Sequence, residues 1–424
     1  MRKELYNRFL ALRREYPIFS YHHFDFFINE GKTVHVQFDF RMGEKIRFNP
    51  KMKLRLGNHA RHCLRKEDME GLVFHIGLIE LLSYWKSACS PIVHIRPYSL
   101  SVPQQEWWKK LYRKGLGEFL YQNGIPSDTD SLIRYRFDAG APSAENISYP
   151  YVEESRKVIV PVGGGKDSVV TLEELRKEKA VLPFIINPRG ATLDCASVAG
   201  FTNMDDIILL EREIDPKLLE LNEKGFLNGH TPFSAMLAFY SLLASYGTGI
   251  RDIALSNESS ANEPTIPGTD INHQYSKSLE FEQDFRYYVK TFMNDTAHYY
   301  SYLRPFNELQ IAEKFSQYPS YFPVFRSCNA GSKENRWCGQ CPKCLFTAII
   351  LAPFLTESQL NEIFGNDILD NSSLELYFDQ LTGLAENKPF ECVGTLEEVN
   401  RAIERIIPRF SEKYLIQHYI QKNR

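Results

Sequence analysis

The sequence predicts an α/β protein: a central domain on a parallel sheet, an N-terminal α+β domain before it and a C-terminal helical segment after it. Three observations carry this. Residues 158–162 form a short β-branched run that ends in three glycines and leads into a helical pattern. Strand-like and helix-like stretches then alternate as far as Ser256, which argues for a parallel sheet with crossover connections. Ahead of them, Val34, Val36, Phe38 and Phe40 alternate with polar residues and read as one arm of a hairpin. The expected domains are 1–150, 151–355 and 356–424.

At 424 residues the chain exceeds one ordinary domain. With 43% hydrophobic and 24% charged residues it is globular and able to bury a sizeable core. A net charge of -3 argues against nucleic-acid binding through the whole surface. The polar start, Met1-Arg2-Lys3-Glu4-Leu5, has no apolar signal core, and no apolar run reaches the roughly 18 residues of a spanning helix. Neither secretion nor a membrane is expected. Eight cysteines are too few for a disulfide framework at this length, and four of them cluster. That pattern suits a reducing cytoplasm and a metal site.

Residues 1–15 read as a helix, with Leu5, Phe9 and Leu12 on one stripe. Phe19–Ile28 and the Val34–Phe40 run read as strands joined by a turn at Glu30-Gly31. Residues 45–66 hold eight Lys or Arg and no acid. Lys51, Lys53 and Arg55 alternate with Met52, Leu54 and Leu56, so a strand sets three cations on one face. That face is either solvated or a groove for an anionic substrate such as a nucleotide diphosphate. Glu67–Ala88 follows as a long helix, Ile92–Ile95 as a strand, and Gln104–Tyr121 as an amphipathic helix with Trp107 and Trp108 packed. Residues 125–150, punctuated by Pro126, Gly140, Pro142 and Pro150, read as the loop at the domain boundary.

The stretch from Lys157 to Thr171 organises the centre. A strand running through Gly163-Gly164-Gly165 into a helix over 169–179 is a phosphate site. The N–H groups there are unpaired, the helix dipole favours an anion, and glycine lets the backbone come close. Asp167 after Gly165-Lys166 excludes the Walker loop, and Ser168 excludes the dinucleotide fingerprint. A glycine turn that only packs a helix on a strand is the bland alternative.

Val181–Asn187 is the next strand, Asp206–Glu211 a third, and Asp252–Ser256 another. Between the last two, Thr231 is the expected N-cap of a long apolar helix, with Pro232 in its first turn. Ligands sit beyond the C-terminal ends of such strands. Gly163–Ser168, Asn187–Arg189 and Asn257–Glu263 should therefore converge on one cleft. The run Ser256-Asn257-Glu258-Ser259-Ser260-Ala261-Asn262-Glu263 is dense in amides, hydroxyls and carboxylates, and reads as a solvated loop or as a substrate-binding, acid–base cluster.

Cys328, Cys338, Cys341 and Cys344 are spaced C-x9-C-x2-C-x2-C. Four thiolates select zinc and leave no open position, so a structural Zn2+ is expected, with an iron–sulfur cluster as the alternative. Cys63, Cys89, Cys195 and Cys392 lack metal spacing and read as buried small residues. Pro342 starts a helix that runs to Pro353, Thr356 and Gln359 fit a capping box, and Thr395 caps the last helices.

The phosphate stretch resembles the pyrophosphatase loop, Ser-Gly-Gly-x-Asp-Ser, of enzymes that split ATP into AMP and diphosphate. The match covers Gly164, Gly165, Asp167 and Ser168, with Gly163 at the opening serine. Joined to a four-cysteine knuckle, it resembles 7-cyano-7-deazaguanine synthase over the middle of the chain. A closer likeness runs nearly the full length. Gly163 to Ser168, Asn228-Gly229-His230, Ser256 to Glu263, Trp337 to Cys344 and Pro389-Phe390-Glu391-Cys392-Val393-Gly394-Thr395 look like the UDP-N-acetyl-α-muramoyl-L-alanyl-L-glutamate epimerase family, MurL, in which three glycines replace Ser-Gly-Gly.

That resemblance implies an ATP-pyrophosphatase (adenine nucleotide alpha hydrolase-like) central domain. It also implies ATP-dependent inversion of the terminal L-Glu of UDP-MurNAc-L-Ala-L-Glu through an acyl-adenylate, with release of AMP and diphosphate. ATP and Mg2+ would be held by Gly163, Gly164, Gly165, Lys166, Asp167 and Ser168, with Asn187 and Asn257 at the strand ends. Lys166 would neutralise the departing diphosphate. His230, Glu258, Glu263 and His273 are the acid–base candidates. The substrate would come from a muramoyl-L-alanine ligase that adds L-Glu. A ligase or nitrile-forming enzyme of the deazaguanine synthase type is the alternative function.

Overall fold

The computed structural model describes residues 2–126, 132–266, 268–269 and 271–423. Its strands are β1 (Ile18–Asn29), β2 (Thr33–Met42), β3 (Ile46–Phe48), β4 (Lys51–Arg55), β5 (Ile92–Ile95), β6 (Arg134–Phe137), β7 (Lys157–Pro161), β8 (Ala180–Ile186), β9 (Ile208–Glu213), β10 (Asp252–Leu255) and β11 (His298–Ser301). The chain folds into two compact units, neither continuous in sequence. The first holds residues 1–157, 205–253 and 275–299, and the second holds 158–204, 254–274 and 300–424.

In the first unit the strand order is β9-β4-β2-β1-β5-β6, with β3 paired to β2. β1 and β2 form the expected hairpin, and Glu30 and Gly31 both take positive φ (50° and 66°) at its turn. β4 pairs antiparallel with β2 and with β9, whereas β5 is parallel to β1 and to β6. This part of the sheet is therefore mixed rather than parallel. β6 lies inside the stretch expected to be loop, because four residues with no buried side chain give little hydrophobic signal.

Helix Lys66–Trp85 lies on β1 and β2 and packs against helix Phe233–Thr248. That second helix starts one residue later than expected, with Pro232 rather than Thr231 at the N-cap. The Thr231 hydroxyl is taken by Lys86 Nζ at 2.6 Å instead. Trp107 and Trp108 are buried, as their helical spacing implied.

Much of the basic stretch is matched by acids. Arg47 meets Asp39 at 3.0 Å, Arg65 meets Asp68 at 2.8 Å and Lys66 meets Asp25 at 3.5 Å. Lys51 and Lys53 stand opposite Glu213 and Glu211 of β9. Acids are thus matched to Lys51 and Lys53 across the strands, which makes this face a charge ladder.

In the second unit β7 lies between β8 and β10, with β11 beyond β10, and the chain passes between the units within β10 and β11. Helix Lys166–Leu175 packs on helix Glu308–Ser316. That helix packs on Pro342–Leu351, and the latter on Leu396–Phe410 and Glu375–Thr382. Among the described residues no helix is long and apolar enough to cross a membrane.

Candidate active site at a glycine loop

Gly165 is the N-cap of helix Lys166–Leu175, which begins three residues before the expected start, so Lys166, Asp167 and Ser168 form its first turn. Gly164 has φ 80°, and a Cβ there would stand 2.9 Å from the Ala191 carbonyl carbon and 3.0 Å from the Thr192 nitrogen. Only glycine fits, for conformation and for room. The start of helix Gly190–Val198 thus lies against the loop. Asn187, at the end of β8, takes φ 48°, a left-handed conformation that asparagine tolerates better than most residues. Ser168 is buried and donates its hydroxyl to Gly165 O at 2.9 Å.

Lys166 points inward. Its side chain is 5% exposed, with Nζ 2.5 Å from Asp167 Oδ1 and 2.5 Å from Glu308 Oε2. Burial works against the ammonium, but Asp167 and Glu308 outweigh it and hold Lys166 protonated. Burial pushes the Glu308 carboxyl upward against the pull of Lys166, and the charges on Asp167 and Glu258 push the same way. Through Glu308 the glycine loop and the polar loop after β10 thus share one electrostatic environment.

That polar loop is firmly held. Asn257 Nδ2 donates to Ser301 Oγ at 3.0 Å, and Ser259 donates to Phe306 O through its hydroxyl at 3.1 Å. Arg304 donates to the Glu258 carbonyl at 2.7 Å, and the buried Glu258 carboxylate accepts from Ser260 at 3.3 Å. Glu263 is bonded by Lys388, whose Nζ also donates to Gly394 O at 2.8 Å. The His273 main-chain N–H donates to Thr265 Oγ1 at 3.0 Å, and its imidazole acts on the half-buried Glu391 electrostatically. Three of the four acid–base candidates, Glu258, Glu263 and His273, therefore belong to the second unit.

His230 belongs to the first unit, with Nδ1 3.4 Å from Glu118 Oε2. Lys86 braces its neighbours through Gly229 O and Thr231. Glu308, Arg304, Lys388 and Glu398 escaped sequence reasoning. Glu308 follows Asn307 in an Asn307-x-x-Gln310 capping box, which looks like helix-start chemistry and gives no hint of a buried carboxylate.

The four cysteines converge. Sγ separations are 3.7 Å for Cys328–Cys341, 3.7 Å for Cys338–Cys344 and 3.5 Å for Cys341–Cys344. A tetrahedron with Zn–S bonds of about 2.3 Å spaces its sulfurs by roughly 3.8 Å, so the set fits one ion. Gly331 N–H donates to Cys328 Sγ at 3.2 Å and Gln340 N–H to Cys338 Sγ at 3.5 Å. Trp337 is wedged between Phe325 and Phe364 beside the knuckle.

The MurL N-terminal domain model matches residues 11–302 and the MurL C-terminal domain model residues 324–423. Proteins named UDP-N-acetyl-alpha-D-muramoyl-L-alanyl-L-glutamate epimerase are similar along most of their length. The one from Xanthomonas oryzae is 35% identical over 354 residues, 81% of this chain and 76% of that protein. The one from Salinispora tropica is 33% identical over 398 residues, 91% and 84% of the two chains. The one from a Micromonospora species is 34% identical over 324 residues, 75% and 70%.

Proposed function

This chain belongs to the MurL family, and on that premise we propose that it inverts the terminal L-Glu of UDP-MurNAc-L-Ala-L-Glu to D-Glu, using ATP and releasing AMP and diphosphate. The observation that supports the ATP step is the helix that starts directly behind Gly163-Gly164-Gly165 with Asp167 and Ser168 in its first turn. A helix N-terminus behind a loop without side chains suits a polyphosphate.

The chemistry needs ATP for a physical reason. A free carboxylate carries a negative charge, so taking the adjacent α-proton would place a second charge beside it. When a carboxylate oxygen attacks the α-phosphorus, the bond to diphosphate breaks and the acyl-adenylate loses that charge. A base then removes the α-proton from one face and an acid returns one to the other, with Glu258, Glu263, His273 and His230 as the candidates. Water cleaves the acyl-adenylate, which restores the carboxylate and frees AMP. Net ATP hydrolysis drives the inversion.

Gly163, Gly164 and Gly165 offer N–H groups to the phosphates, with Asn187 and Asn257 at the neighbouring strand ends. Asp167 is a third exposed, and its carboxylate would offer an oxygen to magnesium. Magnesium would screen the charge of the phosphates there. The four cysteines would hold one structural zinc with no open position. Both substrates being soluble nucleotides, the enzyme acts in the cytoplasm, downstream of a ligase that joins L-Glu to the muramoyl-L-alanine nucleotide.

Incubation in heavy water tests the whole scheme. With ATP, deuterium is expected at the glutamyl α-carbon of the inverted product, together with AMP. Label uptake without ATP would rule out adenylation as the activating step, and inverted product without label would rule out proton exchange with solvent.

A further inference from the structure

We propose that Lys166 and Glu308 form a buried ion pair that positions Asp167 for the phosphates, and that Lys166 itself does not reach the diphosphate. The proposal rests on reading the glycine loop as the ATP site. Lys166 is the first residue of its helix, yet its ammonium lies inside the protein with two of its protons committed to carboxylates 2.5 Å away. Turning it toward a ligand would leave Glu308, 4% exposed at its side chain, buried without its cation.

Glu308 is itself fixed from behind. Its main-chain N–H donates to Glu398 Oε1 at 2.8 Å. The other oxygen of Glu398 accepts from Thr395, at 2.7 Å from the main chain and 2.9 Å from the hydroxyl. One carboxylate thus caps two helices, Glu308–Ser316 and Leu396–Phe410. Gly394 makes room for this. A Cβ there would stand 2.9 Å from Glu398 Oε2 and 3.0 Å from Glu308 Cγ. The Gly394-Thr395 end of the C-terminal motif therefore serves the phosphate loop through Glu308.

The charges divide unequally. One ammonium faces two carboxylates, and Asp167 is 34% exposed where Glu308 is 4% exposed. Solvent reaches Asp167, while Glu308 is shut away from it. Lys166 pins Asp167 Oδ1, which sets the direction in which the rest of the carboxylate points.

The test is a double-mutant cycle on Lys166→Met, Glu308→Gln and the double variant. It is read by the KM for MgATP, by kcat for AMP formation and by calorimetric MgATP affinity, with melting curves to show folding. A positioning pair gives two singles of similar severity, a KM for MgATP raised about tenfold or more, and a double variant no worse than the poorer single. A severe Lys166→Met beside a near-normal Glu308→Gln, with additive effects, would overturn the proposal in favour of a lysine on the diphosphate. Should Glu308→Gln fail to fold, Glu308→Asp keeps the charge but retracts it, and an unchanged KM there would equally overturn it. Wild-type protein that neither binds MgATP nor forms AMP removes the ATP-site reading and this inference together, whereas variants that match a working wild type remove the inference alone.

Discussion

The main-chain N–H of Arg326 donates to the carbonyl of Gly164 at 2.7 Å, two residues before Cys328 enters the four-cysteine cluster. Ser327 follows at the same seam, its Cβ 3.2 Å from where a Cβ of Gly165 would lie. The segment leading into the knuckle is therefore a wall of the glycine loop, and whatever holds the cysteines also holds the loop.

Purified protein is accordingly expected to carry about one zinc per chain, because four thiolates make a closed site whose metal contributes to folding. Cys341→Ala should lose both the zinc and most of the soluble protein. Gentle chelation of the native enzyme should weaken MgATP binding before the rest of the fold melts, since Arg326 and Ser327 lose their anchor first. Metal analysis and calorimetry on the same samples check this, and soluble, active, zinc-free protein would refute it.

Asp167→Ala is expected to lower AMP formation by at least about a hundredfold, the scale on which a lost electrostatic contact at a reacting phosphate is felt. Its effect on the fold should be small. The residue is partly exposed, and Lys166 retains Glu308 as its buried counter-charge. A melting temperature within a few degrees of wild type, together with lost activity, is the expected result.

Much of this site was legible in the chain. The glycine loop, the cysteine cluster, the capping box at Thr356 and the cap at Thr395 follow from local rules, and each appears where its residues imply. What could not be read is what only tertiary packing creates. Glu308 looks like an ordinary first-turn acid until the fold buries it against Lys166. Thr231 has the right chemistry for an N-cap and loses that role because Lys86 takes its hydroxyl. The acids that answer Lys51 and Lys53 could not be read locally, because β9, which brings Glu211 and Glu213 beside them, lies about 160 residues further along the chain.

Acid should destabilise the first unit through His75. This imidazole is fully buried, with Nδ1 2.8 Å from Gly71 O and Nε2 2.9 Å from the Tyr288 hydroxyl, and burial pushes it down to about 4. A histidine depressed from about 6.5 binds fewer protons folded than unfolded between those values. Its stabilising contribution is therefore complete above pH 6.5 and lost as pH falls toward 4, on the order of 3 kcal/mol in all. Urea melts of wild type and His75→Gln across that range should show a shallower acid loss in the variant. Parallel curves would mean that His75 does not carry the dependence.

The last prediction separates the two halves of the reaction. Activation of the carboxylate and exchange of the α-proton are distinct steps, so a group that serves only the second is expected to be removable without stopping AMP formation. Applied to Glu258→Gln, Glu263→Gln, His273→Asn and His230→Asn, the comparison is between AMP release and deuterium uptake at the α-carbon. Two of the four should lose label uptake by about a hundredfold or more while AMP continues to appear. Their structural ties refine the expectation. Glu263 is bonded to Lys388, so its loss also unpairs a buried ammonium and should lower the melting temperature as well. Glu258 acts electrostatically on Glu308, so its loss should disturb AMP formation along with exchange. A clean loss of exchange with AMP release intact is therefore expected first of His273 and His230, since histidine is the side-chain type whose ordinary range lies nearest neutral pH. If both histidine variants exchange at the native rate, the proton-transfer pair lies among the carboxylates.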